Sequence, residues 1–203
     1  MVEDLLAARR IVVSHETVRR WAEKCGRELA NRVRRRAPQL GDKWHSDEVV
    51  VTINGKKHWL WRAVDQDIFV IDALVQSRQD RTAAQRPLRK LIRKQARAPR
   101  VLITDKPGYY CAARNDLGKN FEHRQHKGLN NREENSHQPT RRRERIMKRF
   151  KSPGHLQRFV SIHDPIANLV HLSRNNLPAA VYRAPRCAAM SAWNEIVEVG
   201  GVQ

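Results

Sequence analysis

Between Lys43 and Ser77 apolar and polar residues alternate with a period of two, the pattern of half-buried strands. KWHSDEVVVTI, KKHWLWRAVD and IFVIDALVQS each carry it, and Asn54-Gly55 between the first two is a strong hairpin turn. With a short turn at Gln66 and Asp67, these runs predict an antiparallel meander of three strands. Residues 80–97 then have helical composition, with Leu88, Leu91 and Ile92 on one face and Pro87 interrupting them. RVLITD follows as a short apolar strand. Strand, helix and strand in that order form a crossover, so the fourth strand runs parallel to the third.

A helical stretch around Tyr109 to Leu117 and a fifth strand, FEHRQ, come next. From Asn131 a long basic helix, NREENSHQPTRRRERIMKRFK, is expected to bend at Pro139. HLQRFVSIHDPIANLVHL supplies another apolar helical face, threatened by Pro165, and the tail around Trp193 reads as a loosely attached last helix. Ahead of the strands, residues 2–9 and HETVRRWAEKCG make two short helical patterns, with Ser14 as N-cap of the second and Gly26 as its C′ stop. Val18 and Trp21 would face inward and Arg19, Arg20 and Lys24 outward. By themselves these residues favour an amphipathic helical hairpin with a solvated basic face over a helix-turn-helix. RVRRRAPQLGD reads as a linker whose Arg34, Arg35 and Arg36 can lie along a phosphate backbone.

Charge narrows the partner. Lys and Arg total 40 against 21 Asp and Glu in 203 residues, a net charge of +19. Self-repulsion makes such an excess costly, and a polyanion is its natural partner. No apolar run approaches the roughly 18 residues of a spanning helix, and MVEDLLAARR does not read as a signal peptide. A cytoplasmic, nucleoid-associated protein with no membrane partner is expected. Cys25, Cys111 and Cys187 form no C-x-x-C pair, so they read as packing residues rather than as a disulfide framework or zinc site.

A meander, a crossover helix, a fourth strand and covering helices is the order of an RNase H-like α/β domain with a mixed five-stranded sheet. Phosphoryl chemistry on such a sheet needs carboxylates, because Mg²⁺ is a hard ion that takes oxygen ligands. Asp47 lies within the first strand and Asp105 ends the fourth, so the two share a sheet edge if those strands are neighbours. Glu48 would point to the other face. Glu134, in the first turn of the basic helix, suits a third ligand or the N3 member of a capping box begun by Asn131, about equally. His137, three residues on, suits orientation of substrate or carboxylate and helix packing about equally. Lys106 can neutralise phosphate charge, and Arg141, Arg142, Arg143, Arg145, Lys148 and Arg149 form a run that would grip DNA backbone with steep salt dependence. Trp59 and Trp61 share one strand face and read as core, while Asp65, Asp67 and Asp72 read as turn and edge acids.

WHSDEVVVTINGKKHWLWRAVDQD, PRVLITDK and EHRQHKGLNNREENSHQPTRRRERIMKRFKS together closely resemble the transposases of insertion-sequence family six, bacterial DDE transposases. The resemblance covers almost the whole chain. It implies Asp47, Asp105 and Glu134 as catalytic acids holding two Mg²⁺ or Mn²⁺ ions, with no small-molecule cofactor. It also implies a helix-turn-helix in front, binding of terminal inverted repeats in double-stranded DNA, 3′-end cleavage and strand transfer by a homodimer or larger assembly. The corresponding domains are 1–31 for DNA recognition, 32–42 as basic linker, 43–175 as catalytic domain and 176–203 as tail. Family members carry about one more helical segment before residue 1, so the chain reads as N-terminally truncated. Lys106, Pro107, Gly108 and Tyr109 replace the expected Leu-Arg-Ser-Tyr continuation. The alternative is a catalytically inactive DNA-binding derivative that occupies inverted repeats and inhibits transposition.

Overall fold

The computed structural model describes residues 2–37, 40–104, 121–125, 131–171 and 183–198. Two helices, α1 (Val2–Ala7) and α2 (His15–Arg36), precede the meander of β1 (Lys43–Ile53), β2 (Lys56–Asp65) and β3 (Val70–Gln76). Next come α3 (Arg81–Gln95), β4 (Val101–Thr104) and β5 (Glu122–Gln125), then α4 (Asn131–Ile146), α5 (Pro153–Val170) and α6 (Arg183–Glu198). The five strands form one sheet in the order β3-β2-β1-β4-β5. β1 and β3 both pair antiparallel with β2, whereas β4 runs parallel to β1 and β5 parallel to β4. The mixed sheet expected from the periodicity is the one observed. Asn54 and Gly55 both have positive φ, at 51° and 75°, as a two-residue hairpin requires. The helix expected around Tyr109 to Leu117 lies outside the described residues.

Alternation along the strands divides the core. Trp44, Trp61 and Leu102 meet Leu88, Leu91 and Ile92 of α3 on one face. Val51, Ile53 and Leu60 meet Phe150 and, from α5, Leu156 and Val160 on the other. Trp61 is a core residue and Trp59 packs against the same cluster, as their spacing indicates. Asp65 is a buried turn acid: it accepts from the amides of Gly41, Asp67 and Phe69 at 3.1, 2.9 and 3.0 Å. Asp72 is an edge acid paired with Lys90 and Lys94, each at 3.0 Å.

Several local expectations give way to packing. Gly26 does not stop α2, which runs on to Arg36, so residues 32–36 of the expected linker are helical. Gly26, Ala30 and Val33 form the buried stripe of α2, and a Cβ on Gly26 would lie 3.3 Å from Ile162 of α5. The glycine is there for close helix approach. Trp21 is 47% exposed rather than inward-facing, and Cys25 and Cys187 are exposed rather than packed. α6 is not loose, since Ile196 is buried and its carbonyl accepts from Arg32 at 3.2 Å. The basic helix ends at Ile146, with left-handed φ of 52° at Lys148 and 76° at Arg149 breaking it before Lys151.

Both prolines that threatened helices are accommodated by side chains from elsewhere. A helix proline leaves the carbonyl four residues earlier without its amide donor. For Pro87 that carbonyl is Ala83 O, which accepts from Gln76 Nε2 at 2.5 Å. For Pro165 it is Ser161 O, which accepts from Arg34 of α2.

α5 also covers the edge of β3 that no strand pairs. Asn168 bonds both the amide and the carbonyl of Val70, at 2.9 and 2.8 Å. Gln157 accepts from Val75 N at 2.8 Å and donates to Ala73 O at 3.1 Å. The rise of α5 from Gln157 to Asn168, about 16 Å, matches β3 from Val70 to Val75, about 17 Å. Two amide side chains thus stand where a sixth strand would bond, which blunts an edge open to aggregation. Asn168→Ala and Gln157→Ala are each expected to lower stability by about 1–3 kcal/mol, and the two losses to add because the sites are far apart. Urea unfolding measures this; unchanged midpoints would contradict the clamp.

Candidate active site

Asp47 sits in mid-β1, opposite Arg62 of β2. Cross-strand partners share a face, and Arg62 points into the layer of α4 and α5. Glu48 points the other way, where it accepts from Gln79 Nε2 at 2.7 Å. The parallel register sets Ser46 beside Thr104, the last described residue of β4. Thr104 is fully buried, and its hydroxyl lies 2.9 Å from the His123 imidazole of β5. Asp105 and Lys106 follow directly and lie outside the described residues, as does the side chain of Glu134 in the first turn of α4.

Arg62 is the hub of this layer. Its guanidinium, 2% exposed, donates to Ser136 O and to the Thr140 hydroxyl of α4, the latter at 2.6 Å. It also meets both carboxylate oxygens of Asp164 on α5 at 3.3 Å. Ser136, His137, Thr140 and Asp164 are all buried. Breaking such a pair by removing one partner costs about 3–5 kcal/mol, because the other charge is left buried. Arg141 adds a second tie, donating to Val50 O of β1 at 2.7 Å and lying 3.4 Å from Glu144. Val50 lies beyond the stretch of β1 that β4 pairs, so its carbonyl is open to this donor.

These ties fix how α4 lies on the sheet. The level of Asp47 meets Ser136 and Thr140 through Arg62, and the level of Val50 meets Arg141. The N-terminus of α4 therefore points toward the Asp47 end of β1. On a helix, Glu134, His137 and Arg141 form one row and Glu133, Ser136 and Thr140 the next. Arg141 of the first row is tied to β1, and Ser136 and Thr140 of the second to Arg62. From Arg141 back to Glu134 is about 10 Å of helix, and from Val50 back to Asp47 about 10 Å of strand. The backbone position of Glu134 is thus level with Asp47.

The other expected site residues fall into two groups. Arg142, Arg143, Arg145, Lys148 and Arg149 are exposed along the end of α4 and beyond, as are Arg19, Arg20 and Lys24 on α2, and Arg35. Arg36 is exposed and 3.5 Å from Glu195. Three are engaged or buried within the fold. Arg34 is held between Ser161 O and Asn31, so its guanidinium is occupied in helix packing. Arg141 is engaged with β1 and Glu144. His137 is buried, 5% exposed. Arg62 and Asp164, which organise the site, were not singled out in the sequence. The signal was a lone charge in WLWRAV, at a strand position whose alternation with Leu60 and Val64 marks it as buried.

A five-stranded mixed sheet in this order, with helices on both faces, is an RNase H-like core. A family model of the IS240 transposase type, described as a DDE domain, matches residues 41–173. The chain belongs to this family, the DDE transposases of insertion-sequence family six expected from its motifs. The transposase for insertion sequence element IS257 in transposon Tn4003 of Staphylococcus aureus is 30% identical over 104 residues, 51% of this chain and 46% of that protein. The transposase for insertion sequence-like element IS431mec of the same species matches equally. The chain thus matches about half the length of these relatives. Among solved structures, the Mos1 transposase catalytic domain with Raltegravir and Mg is 16% identical, with a TM-score of 0.47, covering 94% of this chain and 98% of that one. The magnesium-bound HTLV-2 integrase catalytic core is 15% identical, with a TM-score of 0.38, covering 44% and 64%.

His137 gives the site a pH dependence. Burial, with the Arg62 and Arg141 guanidinium groups adding to it, pushes the imidazole from 6.5 down to about 3. Between those values the unfolded chain binds a proton that the folded chain does not, so stability is present above pH 6.5 and falls as pH drops toward 3. His137→Leu is expected to flatten urea-measured stability against pH by up to about 1.4 kcal/mol per pH unit in this window. An unchanged slope would show that the ring is protonated or solvated in the fold.

Proposed function

We propose that this chain is a DNA transposase that cleaves 3′ ends of an insertion sequence and joins them to target DNA. The observation that carries the reading is the seating of α4, whose ties to Arg62 and Val50 bring the Glu134 position level with Asp47. Strand alternation continued one residue past Thr104 would put Asp105 beside Asp47 on the same face.

Three carboxylates form an all-oxygen donor set, which fits a hard divalent ion. Asp47, Asp105 and Glu134 would hold two Mg²⁺ or Mn²⁺ ions, which when bound activate a water or 3′-hydroxyl and stabilise the departing oxygen. The protein's own part would be positional: Asp47 on β1 and Asp105 just after β4 would be held by the sheet, and α4 would bring Glu134 to them. Lys106 and the exposed Arg142, Arg143, Arg145, Lys148 and Arg149 would hold the DNA backbone without reading its bases. α1 and α2, with Arg19, Arg20 and Lys24, would contact the transposon ends, Arg35 and Arg36 would follow the backbone, and residues 43–175 would form the catalytic unit. Joining two ends calls for a dimer or larger assembly. No helix among the described residues is long and apolar enough to cross a membrane, in keeping with action on DNA in the bacterial cytoplasm.

A strand-transfer assay with Mg²⁺ or Mn²⁺, using an inverted-repeat duplex and a target duplex, tests this. Asp47→Asn, Asp105→Ala and Glu134→Gln are each expected to lower joining by at least about a hundredfold with DNA binding retained, and Glu48→Gln to leave joining near wild type. DNA binding with no cleavage, unchanged by Asp105→Ala, would point instead to an inhibitory DNA-binding derivative.

A further inference from the structure

Arg62 is buried beside one expected catalytic acid and grips the helix that carries another. It is the cross-strand partner of Asp47 and bonds Ser136 O, two residues beyond Glu134 on the same helix. A second bond reaches Thr140, one turn further on. Stability alone does not call for this arrangement, because well-packed apolar residues of similar volume commonly replace a buried ion pair at little or no cost. What an apolar pair lacks is direction. The planar guanidinium sets three acceptors on two helices at fixed angles, so the height and rotation of α4 over β1 follow from the position of one strand residue.

We infer that Arg62 is the positioning residue of the catalytic helix, setting Glu134 at the height over β1 where it and Asp47 can share a divalent ion; this rests on the transposase reading of the site. Asp164 has a distinct part. It neutralises Arg62, so that a cation can bind near Asp47 without an uncompensated positive charge behind it. Thr140 supplies the acceptor that fixes helix rotation.

Mn²⁺ binding to the full chain, followed by water-proton relaxation, tests the inference without relying on turnover. Asp47→Asn serves as the reference for binding at the site. Arg62→Met combined with Asp164→Leu removes both charges together. This pair is expected to keep the wild-type urea midpoint or better while weakening Mn²⁺ affinity by roughly tenfold or more, the usual scale for losing a group that orients a metal ligand. A folded double variant with wild-type Mn²⁺ affinity would overturn the positioning role. If the double variant does not fold, Thr140→Val decides, because it leaves the Arg62–Asp164 pair in place. Its affinity should fall about threefold, and an unchanged value would overturn the inference. If Asp47→Asn binds Mn²⁺ as tightly as wild type, the assignment of the site fails rather than the role of Arg62 alone.

Discussion

The burial of one charge, the Arg62 guanidinium, organises everything around the site. A charge withdrawn from water must find partners, and here helices supply them. Ser136 and Thr140 come from α4 and Asp164 from α5, so satisfying this one side chain draws both helices onto the face that holds Asp47. The rest of that face is conventional packing, with Leu60 and Val51 against Leu156 and Val160. Apolar contacts of this kind hold a helix to a sheet but leave it some freedom to slide or turn, and the directional bonds remove that freedom.

The same logic extends to the N-terminal helices. Pro165 opens a carbonyl on α5 at Ser161, and Arg34 of α2 occupies it, three residues before Asp164 meets Arg62. Gly26 lets α2 lie close on α5 at Ile162. A continuous set of bonds therefore runs from α2 through α5 to β2 and α4. α2 is thus built onto the layer that holds Arg62.

What the sequence disclosed followed its local rules. Alternation and Asn54-Gly55 gave the meander and its hairpin, the crossover gave the direction of β4, and Asp65 and Asp72 have the turn and edge roles their positions suggested. The failures share one cause, which is that a distant partner decides the outcome. Gly26 looks like a stop until Ile162 is set against it, and Pro87 looks like a break until Gln76 takes its free carbonyl. The bonds of Arg34 to Ser161 and of Arg141 to Val50 are likewise set by partners far away in the chain. Arg62 and Asp164 are 102 positions apart, and no local pattern announces their pairing. Strand and helix positions made Asp47, Asp105 and Glu134 candidates, and the resemblance resolved the alternatives at Glu134.

The most direct test of the central claim is the anomalous scattering of Mn²⁺ in crystals of this protein. The account predicts a peak bounded by the Asp47, Asp105 and Glu134 carboxylates, with Arg62 bonded to Ser136 and Thr140 behind it. A peak away from Asp47, or one reached by Glu133 with Glu134 turned aside, would contradict it.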